Sequence, residues 1–414
     1  MMTSGAFGYL GDYALWWVLC LSLVIHTWCF FKFFPTKKYR KSGLVIGNVL
    51  VLACLLGVAA LVGESYYRFL CVETDSFGMS LPAQRWFVLY TDLNSSNFRD
   101  EEWTKEKPAG TRRIAFVGDS FTYGWGIERE EDRFPDRTEG MLNARLADST
   151  PPRLKPWATQ VVRTADTAVA HSDAPNRNPN QNHHRNQSRD SHGADTTGDA
   201  DQSRDGHGAV GSPCVEVMNV AKPGWDSGAE LEAIREMIEV YDWDEVVLCY
   251  VPNDIEELLP RSESFDPISP PQPRWINPTT SCLFEHLYYT IWVPRVATVS
   301  RYHDWLAAGF ADDSLWQAHQ DQLSGIIQEC QDHDVTLRIV LLPFHRVSGK
   351  AFQSERIHAM VRAFFEARHV QVLDLLPVVA GIDPADLIVN SHDAHPNEHA
   401  NALYAEAIWE TFYR

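Results

Sequence analysis

Five short apolar runs, each ending at a polar or glycine-bearing corner, constrain this chain more than any other feature. They lie at Ile114–Val117, Val215–Val220, Glu245–Val251, Thr336–Leu342 and Val370–Leu376. Each is too short for a globular helix and too continuously apolar for a strand with one wet face. Such runs suit parallel strands covered on both sides.

The segments between the runs carry helical periods. Leu231, Ile234, Met237, Ile238 and Tyr241 mark one apolar face, opened by a capping-box pattern, Ser227-Gly228-Ala229-Glu230. Leu323, Ile326, Ile327 and Cys330 mark a second, and Ile357, Met360, Val361, Phe364 and Phe365 a third. Ala400, Leu403, Tyr404, Ala407, Ile408 and Phe412 mark the last. Strands alternating with helices predict an α/β fold: a three-layer αβα sandwich on a five-stranded, mainly parallel, flavodoxin-like sheet.

Two further apolar segments precede this pattern. Tyr13–Phe31 and Gly43–Val62 are 19 and 20 residues long without a formal charge. Each can cross a hydrocarbon layer of about 30 Å as a helix. The sequence therefore predicts a transmembrane hairpin over residues 1–63, with helices at about 13–34 and 43–62, a connecting arm over 64–109 and the sandwich over 110–414. Lys32, Lys37, Lys38, Arg40 and Lys41 crowd the loop between the helices, whereas the first 12 residues carry only Asp12. The positive-inside rule places that loop in the cytoplasm and everything after residue 63 on the far side. A cleaved internal signal is the competing reading, weakened by the spanning segment before it. The "VLAC" box ending at Cys54 is read as membrane helix, because apolar residues and glycine continue past it.

Composition narrows the partners. The net charge of -19 leaves no basic surplus to displace counterions, so nucleic acid is not expected. Residues 171–209 contain no Ile, Leu, Val, Met, Phe, Tyr or Trp, and the reading is a disordered insertion over about 150–212. Its five histidines are read as solvated low-complexity sequence. A second insertion, 255–312, is Pro-rich and then aromatic, and fits a cap or pocket wall as well as simple packing. The eight cysteines show no CxxC spacing, and Cys214, Cys249 and Cys330 read as buried thiols.

In parallel α/β sheets, sites form beyond the carboxyl ends of the strands. The first run ends in Gly118-Asp119-Ser120, and the second leads to Gly224 in "NVAKPGWDS". The third leads to Asn253-Asp254, and Asp393 and His395 precede the final helix in "SHDAHPNEH". Taken singly, each is an ordinary turn or helix cap. Together, in this order, they make a chemical set. A serine hydroxyl needs a base, and histidine titrates in the range where it can take a proton and return it. A carboxylate on the other ring nitrogen fixes the tautomer.

The constellation "GDSFTYGWG … Gly224 … Asn253 … DAHPN" resembles the SGNH (GDSL) hydrolase superfamily over roughly residues 110–414, less the insertion. The resemblance implies Ser120 as nucleophile, His395 as base and Asp393 as acid. It implies an oxyanion hole formed by the Ser120 and Gly224 N–H groups and the Asn253 side-chain amide. Two departures stand out. Val251 occupies the position of a usual glycine in the third block. The usual Asp-x-x-His would place the acid at 392, which is His392, so Asp393 two positions before His395 is taken as a variant. Asp119 and Asp254 are expected to brace their loops, and Tyr123, Trp125 and Trp225 to line a pocket or pack.

His392, His395 and His399 also form a metal-like spacing, but it matches no zinc signature and leaves Ser120 unexplained. No metal and no cofactor are expected. The resemblance implies a serine esterase acting through an acyl-enzyme on Ser120; the two apolar segments imply that it is membrane-anchored, and the predicted topology makes O-acetyl groups of extracytoplasmic polysaccharide a candidate substrate. The alternatives are an acyltransferase on envelope glycans, built from the same residues, and a non-catalytic binding module.

Overall fold

The computed structural model describes residues 5–34, 40–78, 80–148, 214–262, 281–347 and 350–414. The expected insertion over about 150–212 lies wholly outside them, as does the basic loop at 35–39.

The five runs become parallel strands: β1 Thr111–Gly118, β2 Cys214–Ala221, β3 Glu245–Tyr250, β4 Thr336–Leu341 and β5 Gln371–Asp374. Their order is β2-β1-β3-β4-β5. The ends differ from the apolar runs by up to three residues, because pairing with a neighbour and not apolarity sets where a strand stops. The period of two persists inside the continuous runs. Ala115 and Val117 pack with Met218, Val220, Val246, Leu248 and Ile339 on one face of the sheet. Ile114 and Phe116 pack with Val215, Val217, Val247, Cys249 and Val340 on the other.

Helices cover both faces. With α1 Gly5–Phe33, α2 Arg40–Phe69, α3 Leu81–Tyr90, α4 Ser120–Tyr123 and α5 Phe134–Asp148 preceding, α6 is Ser227–Tyr241. Then follow α7 Cys282–Leu287, α8 Tyr302–Ala311, α9 Asp313–Asp332, α10 Ser354–Glu366 and α11 Glu398–Ile408. The first face is closed by α6, α9 and α10, and the second by α5 and α11. The result is the three-layer α/β sandwich with flavodoxin-like strand order.

Three local expectations change. The N-cap of α6 is Asp226, whose side chain accepts the Ala229 N–H, so the capping box at Ser227–Glu230 does not form. Ser227 is instead inside the helix and Glu230 is fully buried. Cys214 is exposed at the start of β2, while Cys71, Cys249, Cys282 and Cys330 are buried. α2 runs seven residues beyond its apolar stretch, to Phe69.

Both α1 and α2 are long and apolar enough to cross a membrane, over Tyr13–Phe33 and Lys41–Phe69, and little of either span is buried. The arm after them packs back on the sandwich. Trp86 joins Tyr123, Trp125 and Ala221 in one cluster, and Phe98 enters the core of the first face.

Candidate active site

The strand order reverses direction between β1 and β3, which is where a crevice opens outside an α/β sheet. The chain places Ser120 directly after β1 and Asn253 directly after β3. Gly118 ends β1 for a steric reason: a Cβ there would sit 2.3 Å from Thr122 Oγ1 and 3.1 Å from Cys249 Cβ. Asp119 then caps the single turn of α4, its carboxylate accepting the Phe121 N–H at 2.8 Å. Ser120 is therefore the first residue of that turn, half-buried at the mouth. Gly124, at φ 75°, ends the turn over the stem of Arg133.

Asp119 also links the two corners, since Asn253 Nδ2 donates to its Oδ2 at 3.0 Å. Asp254 turns back and accepts the Val251 N–H at 2.9 Å. Val251 is fully buried in the core of the second face, which explains why this position carries a branched apolar residue here. Burial holds the Asp119 carboxyl above the usual carboxylate range, against the hydrogen bonds from Asn253 and Phe121 that favour its charge.

Asp393 and His395 lie on β7 (Asp393–Pro396), which pairs antiparallel with β6 (Ile388–Asn390). Side chains two apart on a strand share a face. That accounts for the Asp-x-His spacing: no bend is needed, only a short strand. His395 Nδ1 meets Asp393 Oδ1 at 2.5 Å. Its Nε2 lies 2.8 Å from Ser120 Oγ. With Nδ1–H donating to the carboxylate, Nε2 is left to accept the serine proton. Asn390 holds the approach to β7 by accepting the Asp393 N–H at 2.9 Å and the His392 N–H at 2.8 Å.

Burial disfavours a charged His395 ring, but the Asp393 carboxylate outweighs it and raises the imidazole above its ordinary value. Asp119 and Asp75 add to the rise.

Gly224 faces the same cleft with φ at 80°. Among the described residues, its two chain neighbours apart, no atom lies within 4 Å of where its Cβ would be. Glycine is thus required by the left-handed backbone and not by crowding from the chain itself. Among the described residues nothing accepts the N–H of Ser120 or of Gly224, and Asn253 Nδ2 retains a second hydrogen beyond the one given to Asp119.

These groups open into one cleft of about 1350 Å³. Trp125 and Trp225 line it, whereas Tyr123 is buried in the aromatic cluster below. The three histidines of the metal-like spacing diverge. His395 is engaged as described, His399 Nδ1 faces the Asp386 carbonyl oxygen at 3.4 Å, and the His392 ring stands against His286.

Several cleft residues escaped the sequence reading. Asp75 to Gly78 come from the arm, and Asp75 fixes them by accepting the N–H groups of Phe77 and Ser80 and the Ser80 hydroxyl. Tyr289 and Tyr302 come from the region after β3, and Phe344 from the loop after β4. The D-S-F-G-M-S turn pattern at 75–80 was a usable signal for the first group; nothing local marks the others.

No family model matches the chain, and no curated protein matches it. Among solved structures it is similar to a psychrotrophic esterase from Pseudoalteromonas sp., at 10% identity and TM-score 0.37, over 72% of this chain and 96% of that one. It is similar to a lipolytic protein of the G-D-S-L family from Veillonella parvula, at 12% identity and TM-score 0.36, over 73% and 99% of the two chains. It is also similar to an acetylxylan esterase from Geobacillus stearothermophilus, at 12% identity and TM-score 0.34, over 74% and 96%. At these TM-scores the likenesses carry no argument of their own, and the site is read from its own atoms. What the chain is similar to is thus a set of esterases and lipases that includes a G-D-S-L member.

Proposed function

We propose that this chain is a membrane-anchored serine esterase of the SGNH type. The observation that carries the reading is the continuous relay from Ser120 Oγ through His395 to Asp393 at the rim of the sheet. Ser120 Oγ attacks the ester carbonyl carbon while its proton passes to His395 Nε2. Asp393 stabilises the imidazolium that forms. The oxyanion is met by the N–H groups of Ser120 and Gly224 and by Asn253 Nδ2. His395 returns the proton to the leaving alcohol, and an acyl-enzyme remains on Ser120. Water, deprotonated by His395, then releases the acid.

Two helices of spanning length at the N-terminus support anchoring in a membrane. O-acetyl groups on extracytoplasmic polysaccharide are the proposed ester, on the strength of the charge asymmetry that points the sandwich outward. Chromatographic release of acetate from acetylated glycan by the full-length protein tests the reading. Release that persists unchanged in Ser120→Ala would remove the assignment.

A further inference from the structure

The stretch from Cys282 to Trp292 runs as α7 and then one wider turn, Tyr288–Trp292. It has two unlike faces. Cys282, Glu285, His286, Tyr288 and Tyr289 are buried. Phe284, Leu287, Ile291 and Trp292 are 46%, 37%, 50% and 63% exposed. Their spacing of three, four and one puts them on one side of the helix. The only acid or base in the stretch besides His286 is Glu285, and both are buried, so the exposed side carries no charge. An uncharged apolar side of this kind marks an interaction surface.

What covers it follows from where it is fixed. Glu64, on α2 just past the apolar stretch, accepts the Ser281 hydroxyl at 2.7 Å and the N–H groups of Cys282 and Leu283 at 3.0 Å. Leu283 packs against Gly63. Phe284 reaches Trp16 of α1, ring centroids 6.3 Å apart. The exposed side therefore continues the outer surface of the helical hairpin, where Trp17, Leu55 and Val62 are themselves exposed. The opposite side borders the catalytic cleft. Tyr289 lines it, His286 stacks on Tyr67 of α2 at 4.0 Å, and the same ring stands 5.7 Å from His392, which also lines the cleft.

Tyr67 is five residues beyond Val62, or about 7.5 Å along the helix. The polar layer outside the hydrocarbon is about 5–7.5 Å deep, so Tyr67 stands at its outer edge.

We infer that Cys282–Trp292 lies in the membrane interface with Phe284, Leu287, Ile291 and Trp292 immersed, and that the cleft it walls takes esters carried on amphiphiles of the same leaflet. The inference rests on the anchored-esterase reading. It names the substrate class: an acyl ester whose carrier is held in the bilayer by a lipid tail, reaching Ser120 at headgroup depth. Aromatic and aliphatic side chains at the interface are the expected composition of such an element.

The test uses the full-length protein in phospholipid nanodiscs. A benzophenone amino acid is placed at Ile291, at Leu52 within α2, or at Gln317 on α9, then irradiated. Phospholipid adducts at 291 and 52 but not at 317 are expected. Adducts at 52 with none at 291, or cross-links from 291 to a second copy of the chain, overturn the inference. Failure at both 52 and 291 overturns the membrane anchor and the inference with it.

The substrate half is read separately, with Ile291→Glu/Trp292→Glu, neither of which lines the cleft. Acetate release from hexadecyl acetate, whose alcohol is the lipid tail, dispersed in the nanodisc should fall at least tenfold, with hydrolysis of p-nitrophenyl acetate in water changed less than twofold. Equal change, or none, on both esters overturns it. A parent protein inactive on both esters counts against the esterase reading and this substrate class, while the cross-links still decide where the segment lies.

Discussion

At the residue scale, Asp393 determines what His395 can do. The imidazole is buried, which alone would depress its basicity, and the carboxylate reverses that. The base works only when neutral, so activity rises as pH climbs through the raised imidazole pKa. The acid limb of kcat/KM should therefore lie above about 6.5, the unperturbed histidine value. In Asp393→Asn the largest raising charge is gone, leaving Asp119 and Asp75 against the burial, so the limb should move down, while the rate at its plateau drops by about 10³–10⁴-fold. A limb that stays in place in this variant would show that the carboxylate does not set the imidazole. On the proposed mechanism, Asn253→Ala removes one oxyanion donor and should lower kcat by about 10²–10³-fold with little effect on KM. A steady-state split of the two constants checks this.

At the scale of elements, two glycines do different work. Gly118 keeps β1 and α4 in contact, and a methyl group there meets Thr122 Oγ1 at 2.3 Å. Gly118→Ala should cost about 1–3 kcal/mol of stability, visible as a lower Tm. Gly224→Ala meets no atom of the described residues beyond its chain neighbours but must hold φ near 80°, a strain of about 1–2 kcal/mol that its loop can relieve by turning the N–H away. It should lose activity with a smaller change in Tm. The reverse ranking in calorimetry would contradict both assignments. The strands were legible in the sequence because two covered faces leave runs of apolar residues too short for a helix, and the helices because one covered face leaves a period of about 3.6. Ser120, Gly224 and Asn253 were legible as candidate site residues because each follows a strand end. The Asp-x-His pair looked irregular against the usual Asp-x-x-His, and β7, the four-residue strand that puts both side chains on one face, was invisible without its partner β6. The capping residue of α6 slipped by one, since Asp226 and Ser227 are equally good caps in isolation and tertiary packing chose between them.

For the whole molecule, burial around the site has a cost that appears with pH. Glu230 and Asp254 are fully buried beneath the cleft, and burial first raises both carboxyls well above their ordinary values; the Asp119 charge then adds to the rise at Glu230, and Glu230 and Asp119 add to it at Asp254. Both oxygens of Glu230 lack a hydrogen-bond partner among the described residues. An acid that holds its proton more tightly when folded stabilises least at high pH. The folded state binds more protons above the unfolded pKa, and stability falls as pH rises from there toward the folded pKa. Glu230→Gln should match the parent near pH 4 and exceed it by roughly 1–3 kcal/mol at pH 8 in denaturant melts. A constant difference across that range would contradict the account. The arm and the region after β3 were the least legible parts of the chain. Asp75, Tyr289 and Tyr302 reach the cleft from segments far apart in sequence, and no local pattern announces such a meeting.

The central claim is that Ser120 is a nucleophile made reactive by His395. A fluorophosphonate adduct, located by mass spectrometry of the intact full-length protein and then of its peptides, tests it most directly. The account predicts one adduct per chain, on Ser120, formed slowly in His395→Ala and not at all in Ser120→Ala. A parent protein that stays unmodified, or one labelled elsewhere at the same rate in all three proteins, would contradict it.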